Sequence, residues 1–500
     1  MNPFSPRPVL WTIAGSDCSG GAGIQADIKT AHILGMEVCS LITANTVQNS
    51  MQLFSINPVE VDTLEQQFDA LLSDKTPAAI KIGMLADNRQ LRWLIGRLRQ
   101  FAPSNKPIIV LDPVIKASVG GDLSQEALDI SLLQQLMTLV DLITPNWSEA
   151  QYLSETHQKD PERCWQSLQQ FGAQALIISG GHGDDTDVVI DHCFFAEQHL
   201  QLQSTKAQTA YGHGSGCTLS TALACFLAQG YLLRDAFIHA QAFINKAFSL
   251  CPDNSDYYGS LIQPSWPVEK TFYPRVINPK AENLPAFARL EHQYLGLYPV
   301  VDSVAWLEKL MPLGIKIIQL RLKNKTTAEL KQAIKQAVQL SKAYPQCQLF
   351  INDYWQLAIE YGAFGVHLGQ EDLQALSRDE LHKIQQSIRL GISTHGAYEF
   401  ILAQQIQPSY LAIGAIFPTQ TKDMTGQIQG IENLRHLMTL RDQKRDQQQL
   451  PVVAIGGISL QRAASVKQTG VDSIAVVTAI TKADDFKKAV TDFQQLLTVK

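Results

Sequence analysis

From Leu295 onward, short runs rich in β-branched residues alternate with amphipathic stretches. The runs are Leu295–Val301, Ile315–Leu322, Gln348–Asn352, Gly365–Gly369, Arg389–His395, Tyr410–Ile416, Val452–Ile458 and Ser473–Ile480. Helical patterns such as Thr327–Lys342 and Leu460–Thr469 lie between them. The runs are apolar on both faces, as strands of a parallel sheet covered by helices must be. Eight strand-then-helix units in roughly 210 residues is the count and size of a (β/α)8 TIM barrel. An open doubly wound sheet has the same periodicity, and the number eight tilts the reading to the barrel.

The residues before this repeat also alternate, with strands expected at Val9–Ala14, Val38–Thr43, Ala79–Gly83, Ile108–Leu111, Leu142–Thr144 and Ala175–Ser179. Helical patterns occupy Gly23–Leu34, Asp62–Leu72, Leu123–Leu139, Gly216–Gln229 and Asp235–Leu250. The polar-alternating pair Asp187–Phe195 and His199–Ser204 reads as antiparallel strands at a sheet edge. This half is an α/β sheet, and its ligand loops belong at the carboxyl ends of the strands. Between the halves, Pro252, Pro264, Pro267, Pro274, Pro279 and Pro285 interrupt any sustained period. Such a stretch predicts a linker at 266–290, with one domain over 1–265 and a second over 291–500.

The formal net charge of −6 and a pI near 6.1 argue against a nucleic-acid partner, which selects a basic face. No apolar run reaches the roughly 18 residues of a membrane span, and the first residues lack a signal-peptide pattern. Eight cysteines occur without a C-x-x-C pair, so free thiols in a reducing, cytoplasmic setting are expected. The expected partners are small molecules, with neither nucleic acid nor membrane; a homo-oligomer is left open.

Two glycine-rich motifs stand out in the first half. Ala14-Gly15-Ser16-Asp17-Cys18-Ser19-Gly20-Gly21-Ala22-Gly23 follows a strand and opens a helix, although read alone a tight turn accounts for it. Gly212-His213-Gly214-Ser215-Gly216-Cys217 precedes an apolar-periodic stretch, so its N–H groups lie at a helix start that attracts anions. Cys217 at that position is expected to have a depressed pKa. Asp112-Pro113 and Thr144-Pro145-Asn146, with Glu149 beyond, end strands and suit Mg²⁺–nucleotide ligation.

The strings AGSDCSGGAGIQADIKT, ITANTVQNS, KIGMLAD, LDPV, LITPNWSEA, SGGHGDD and GHGSGCTLSTALA occur in that order. Over nearly its whole length this half resembles the hydroxymethylpyrimidine/phosphomethylpyrimidine kinases, of ribokinase-like α/β sandwich fold. The resemblance implies that Gly15, Asp27 and Gln48 hold the pyrimidine and that Cys217 is the base toward its hydroxyl. Gly214, Ser215 and Gly216 would form the anion hole. Asp112, Asn146, Glu149 and the loop from Gly180 and Gly181 to Gly183 would serve Mg²⁺–ATP. Tyr211-Gly212 stands where that family usually has Asn-Thr.

In a barrel, chemistry sits where strands end. The second strand ends Gln319-Leu320-Arg321-Leu322-Lys323, placing Gln319, Arg321 and Lys323 on one side as an anion clamp. The third and fourth end at Asn352-Asp353 and Gly369-Gln370-Glu371-Asp372, so Asp353 and Asp372 would share one Mg²⁺ carrying a diphosphate. Later ends supply Ser393, Thr419-Gln420-Thr421-Lys422, Gly456-Gly457 and Val477-Thr478, the last two at the usual barrel phosphate site. His367 and His395 read as packed or hydrogen-bonded histidines rather than metal ligands.

The strings QLRLK, FINDYWQLAI, GVHLGQEDL, LGISTH, GAIFPTQTKD, VVAIGGI and SIAVVTAI are similar to those of thiamine phosphate synthase. That resemblance assigns Gln319, Leu320, Arg321, Leu322, Lys323, Asn352, Ser393 and Lys422 to the pyrimidine diphosphate. It assigns Thr419, Gln420, Thr421, Gly456, Gly457, Val477 and Thr478 to the thiazole phosphate, and Asp353 and Asp372 to the metal. Ala415 stands where that family often has Pro. Together the halves imply a bifunctional enzyme of thiamine biosynthesis using ATP and Mg²⁺. The alternatives are a pyridoxal-type kinase fused to a thiazole-isomerising barrel, or a non-catalytic ligand-sensing protein.

Overall fold

The computed structural model describes residues 7–49, 52–115, 128–181, 187–252, 258–292, 294–419, 428–442 and 449–498. The chain forms two compact units, Met1–Ile277 and Asn278–Lys500. Among the described residues no helix is long and apolar enough to cross a membrane.

The first unit is built on one ten-stranded sheet. Its strands are β1 (Val9–Asp17), β2 (Glu37–Gln48), β3 (Leu53–Pro58), β4 (Ala79–Ile82), β5 (Ile108–Leu111), β6 (Leu142–Ile143), β7 (Ala175–Ile178), β8 (Val188–Phe195), β9 (Gln198–Thr205) and β10 (Arg275–Val276). They run in the order β10-β9-β8-β7-β6-β5-β4-β1-β2-β3. The six from β7 to β2 are parallel, and β3, β8, β9 and β10 add antiparallel edges. Trp11, Ile13, Ile80, Ile82, Ile109, Leu111, Ile143 and Leu176 are buried together with residues of the covering helices Val61–Asp74 and Asn88–Leu98. Connections leave β1 toward β2 on one side while β4 lies on the other. A crevice opens outside the strand ends at such a switch point.

The polar-alternating edge pair is present as β8 and β9, in full antiparallel register from Val188↔Thr205 to Phe195↔Gln198. Edge strand β3 and the helices Asn88–Leu98, Trp147–Ser154 and Pro161–Gln170 add to what the pattern predicted. Each of these helices begins on a side-chain cap, from Asp87, Asn146 and Asp160 respectively. Of the expected helix Leu123–Leu139, the described part is helical over Ile130–Met137.

The second unit is a closed barrel of eight parallel strands. They are β11 (Gly296–Val301), β12 (Ile317–Leu320), β13 (Gln348–Asn352), β14 (Gly365–Leu368), β15 (Arg389–Thr394), β16 (Tyr410–Ile413), β17 (Val452–Ile455) and β18 (Ser473–Val476). Closure comes from β11 pairing with β18, Gly296 opposite Ser473. The interior is packed by Tyr298, Ile317, Phe350, Tyr410, Ala412, Val453 and Ala475. The ring of Tyr410 fills the space a Cβ on Gly391 would take, 2.2 Å from that position.

The segment 266–290, expected as a linker, is divided between the units. Arg275–Val276 extends the first sheet by pairing with β9, and the Ile277 N–H donates to Gln201 O. The Trp266 ring packs against Phe226 (4.8 Å) and His239 (5.3 Å). Beyond the division, Phe287 N donates to Gln407 O, and Ala288 O accepts from Ser409 Oγ, so 278–290 is fastened to the barrel. A chain cut between Ile277 and Asn278 is expected to give two soluble pieces, each melting cooperatively. A first piece ending at residue 265 loses Trp266 and β10, costing about 2 kcal/mol or more and roughly 4–8 °C in Tm. Calorimetry of the pieces ending at 265 and 277 checks this; equal melting would refute a structural role for the segment.

Candidate active sites

In the first unit a cavity of about 870 Å³ opens at the switch point between β1 and β4. Gly15, Gln48, Asp112, Asn146, Glu149, Gly181, Gly214, Ser215, Gly216 and Cys217 all line it, so residues distant in sequence meet as the resemblance required. The two glycine-rich motifs touch. Gly214 has φ +84°, and a Cβ there would fall 1.9 Å from Gly21 O, so only glycine fits. Asn146 caps its helix reciprocally with Glu149: Glu149 N donates to Asn146 Oδ1, and Asn146 N donates to Glu149 Oε2.

The floor of the cavity is a buried charge cluster. Lys81 on β4 is fully buried, with its Nζ 3.1 Å from Asp27 Oδ1 and 3.5 Å from Asp112 Oδ2. Asp27 also accepts from Thr12 Oγ1 (2.5 Å) and Thr221 Oγ1 (2.8 Å), and Asp112 accepts from Ser220 Oγ (3.1 Å). Asp27 therefore does not line the cavity. Its oxygens are taken by the floor, which corrects the expectation that it touches the pyrimidine. Gly180 is half-buried between the lining residues Ser179 and Gly181, and its N–H donates to Asp191 of the wall (2.8 Å), whose carboxyl burial pushes up to about 7. Gly183 lies outside the described residues.

The thiol of Cys217 faces this cluster, and its pKa is the opposite of the one expected. Burial pushes it up to about 12; Lys81 pulls it down, while Asp112 and Asp27 push it further up. Cys217 lies in the first turn of the helix Ser215–Ala228, and burial keeps the resting group a thiol. Lys81 itself is held protonated, because Asp27 and Asp112 offset its burial.

On the opposite wall, Asp17 Oδ2 accepts from the N–H groups of Gly21 (3.0 Å) and Ala22 (2.8 Å) and lies 2.8 Å from His213 Nε2. Burial works against the Asp17 charge, but hydrogen bonds from His213, Ser19, Gln48 and Ala22 N–H hold its carboxyl well below the usual range. Lys81, Asp17, His213 and Asp191 were not singled out from the sequence. Lys81 had a signal, a lone cation inside an apolar strand, which is retained only when paired.

In the barrel, Lys323 Nζ lies 2.6 Å from Asp353 Oδ2 just beyond β12 and β13. Asp353 has φ +66°, a strained value of the kind found at functional positions. Asp372 accepts the Gly369 N–H (2.9 Å); burial raises its carboxyl, and the charge of Asp353 raises it further. The two carboxylates thus feel each other, as expected of a shared cation site. Leu320 and Leu322 are buried aliphatics on the face opposite Gln319, so their side chains do not serve the ligand. Gln420, Thr421 and Lys422 lie outside the described residues. Gly456 and Gly457 follow β17 with φ +103° and +63°, while Val477 caps the helix Thr478–Thr481 after β18.

A chain of hydrogen bonds crosses the barrel interior below these strand ends. Gln319 Nε2 donates to Tyr298 OH (3.1 Å), which lies 2.7 Å from Tyr410 OH. Tyr410 OH lies 2.8 Å from His367 Nδ1, and His367 Nε2 lies 2.8 Å from Ser393 Oγ. Burial lowers the His367 pKa to about 4, so its ring is neutral. His395 is held by Glu399 at 2.9 Å.

Residues 17–261 match the family model of phosphomethylpyrimidine kinase, and residues 297–480 that of thiamine monophosphate synthase. A thiamine-phosphate synthase of Yersinia pestis (strain Pestoides F) is 50% identical over 214 residues, 43% of this chain and 94% of that protein. The chain belongs to the thiamine-phosphate synthase family. Its first half is a phosphomethylpyrimidine kinase domain, so the protein is a bifunctional enzyme of thiamine biosynthesis. The two family models favour this over a pyridoxal-type kinase joined to a thiazole-isomerising barrel. Among solved structures, phosphomethylpyrimidine kinase of Clostridium difficile 630 is 29% identical, with a TM-score of 0.42, over 48% of this chain and 99% of that one. Pyridoxal kinase of Staphylococcus aureus in complex with ADP is 28% identical, with a TM-score of 0.47, over 52% and 95%.

In the kinase domain, burial and the charge of Asp112 push the Glu149 carboxyl up to about 8, against an ordinary 4.5. The folded state then binds the extra proton between those values, so this group's contribution to stability falls as pH rises from about 4.5 to 8. Without metal, Glu149→Gln is expected to melt several degrees above the parent at pH 9 and level with it at pH 4. Thermal melts at the two pH values check this, and a parent that matches the variant at pH 9 would refute it.

Proposed function

We propose that the kinase domain transfers the γ-phosphoryl group of ATP to the hydroxyl of 4-amino-5-hydroxymethyl-2-methylpyrimidine. A second transfer to the monophosphate gives the diphosphate. The synthase domain then joins this diphosphate to thiazole phosphate, giving thiamine phosphate and pyrophosphate. The observation that carries the reading is the convergence of Cys217, the N–H groups of Gly214 to Gly216 and buried Lys81 on one cavity.

Cys217 accepts the substrate's hydroxyl proton once its own thiol proton has left, and Lys81 stabilises the thiolate. The N–H groups at Gly214, Ser215 and Gly216 receive the charge that develops on the transferred phosphoryl. Gly15 and Gln48 hold the pyrimidine, and Asp27 acts from beneath by fixing Lys81. Asn146, Glu149, Asp112 and Gly181 serve the nucleotide.

The donor sets fit Mg²⁺. Asp112 with Glu149, and Asp353 with Asp372, are carboxyl pairs whose mutual charge calls for a cation. Among the described residues no larger metal-ligating cluster occurs, as suits an ion that keeps waters and takes phosphate oxygens. Bound there, Mg²⁺ would neutralise charge on phosphate oxygens. In the synthase domain Arg321, Lys323 and Lys422 clamp the diphosphate and stabilise departing pyrophosphate, with Gln319, Asn352 and Ser393 on the pyrimidine. Thr419, Gln420, Thr421, Gly456, Gly457, Val477 and Thr478 hold the thiazole phosphate. The reading places both reactions in the cytoplasm and each within its own unit.

An assay supplying hydroxymethylpyrimidine, ATP, Mg²⁺ and thiazole phosphate tests the whole, with thiamine phosphate the expected product. Cys217→Ala is expected to slow both phosphorylations by roughly 10²–10⁴-fold while leaving the synthase step on ready-made diphosphate unchanged. In the parent, kinase kcat/KM is expected to climb with pH toward 9, because the base works as a thiolate whose thiol burial holds protonated. Near-parent turnover in the variant would sink the assignment. Asp372→Asn should abolish thiamine phosphate formation and let pyrimidine diphosphate accumulate while ATP is still consumed. Chromatography with Mg²⁺ titrated reads this; parent rate and parent Mg²⁺ midpoint would remove Asp372 from the metal site.

A further inference from the structure

The interior chain Gln319–Tyr298–Tyr410–His367–Ser393 joins two residues of the proposed pyrimidine site through three that touch no ligand in that reading. It has four junctions, each short enough for one hydrogen bond: 3.1, 2.7, 2.8 and 2.8 Å. Tyr298, Tyr410 and His367 are buried, so water cannot supply missing partners. Each of the three carries one proton, since the tyrosines are neutral and burial keeps the imidazole uncharged. Arg321 and Asp353 are the charged groups that act on the ring.

Proton counting then fixes the chain from end to end. Gln319 Nε2 donates at the first junction, so Tyr298 must donate to Tyr410, and Tyr410 to His367 Nδ1. The single imidazole proton is left on Nε2, donating to Ser393 Oγ. The serine hydroxyl proton is then free to point elsewhere. Reversing any one junction puts two protons in one place and none in another, leaving a buried polar group without its partner. The whole chain can reverse only if the Gln319 amide turns over, Oε1 accepting from Tyr298.

We infer that Tyr298, Tyr410 and His367 are positioning residues that lock the polarity of Gln319 to that of Ser393. The site then presents an acceptor, Gln319 Oε1, together with a donor, the Ser393 hydroxyl. An aminopyrimidine edge offers the complement, an amino donor beside a ring-nitrogen acceptor. The inference rests on the proposed assignment of Gln319 and Ser393 to the pyrimidine.

The test uses the full chain with ¹⁵N-labelled histidine, the His367 signal being assigned by its loss in His367→Gln. The parent is expected to show a single Nε2–H tautomer. Gln319→Glu, at pH 9 where the new carboxyl is ionised, can only accept at the first junction, so the His367 tautomer should switch to Nδ1–H. The double variant Gln319→Glu/Tyr410→Phe should not switch, because the phenyl ring fills the same space without the hydroxyl. An unchanged tautomer in Gln319→Glu, or a switch that survives Tyr410→Phe, overturns the coupling. Synthase kinetics separate this from the site reading. Tyr410→Phe should raise KM for pyrimidine diphosphate about tenfold, as loss of one polar lock implies, with kcat little changed. If the tautomer switches but Gln319→Leu and Ser393→Ala keep the parent KM, the site assignment fails and the proton chain stands.

Discussion

One buried ammonium organises the kinase half. Lys81 projects from the middle of the sheet into a place without water, where an unpaired charge would be prohibitive. Asp27 from the first helix and Asp112 from the end of β5 meet it there, and Thr12 and Thr221 complete the shell. Removing either carboxylate would strand the rest, which is why such a cluster tolerates little change. Its members come from β1, β4, β5 and two helices, so satisfying one charge brings together the elements that carry the glycine-rich loops. Burial raises the thiol of Cys217 beside the same cluster, whose two carboxylates push it further up against the pull of the ammonium. The cavity floor is thus both a structural tie and the electrostatic setting of the base.

The barrel solves a similar problem with neutral groups. A ring of eight strands leaves an interior that must be filled, and Tyr298, Phe350 and Tyr410 fill it. Two of these carry hydroxyls, which must be satisfied far from solvent. Gln319 and His367 supply the partners, and through His367 the chain ends at Ser393, beneath the strand ends where charged residues gather. Packing and ligand chemistry are therefore continuous. The aromatic that fills the space beside Gly391 is also a link between two side chains of the proposed site.

Much of this was legible in the sequence, and what was not has identifiable causes. All eight barrel strands follow from apolar periodicity, and six of them end short of the expected spans because loops such as Gly456-Gly457 continue the pattern past the last ladder bond. Edge strand β3 was missed because its short run LFSINP has no alternating pattern and none of its residues is fully buried. Gly15, Gln48, Asp112, Asn146, Glu149, Gly181 and Cys217 line the cavity, as do Lys81, Asp17, His213 and Asp191, which no motif singled out. Asp27 sits one layer behind the surface, a distance no motif encodes. The sign of the Cys217 shift was unreadable for the same reason. A helix start is visible in sequence, whereas the burial of the thiol that follows it is not.

The short strand β10 gives the Pro-rich segment an unforeseen part in synthesis. A growing chain folds its first domain while the second is still being made. The outer edge of β9, with its row of open backbone groups, stays uncovered until Arg275 and Val276 emerge, some seventy residues after β9 itself. An open edge of that kind is a template for pairing with other chains. The prolines flanking those two residues cannot donate to a ladder, so the segment can close the edge without offering a long new one. What looks in sequence like the end of one protein and a tether to the next is the last seam of the first fold.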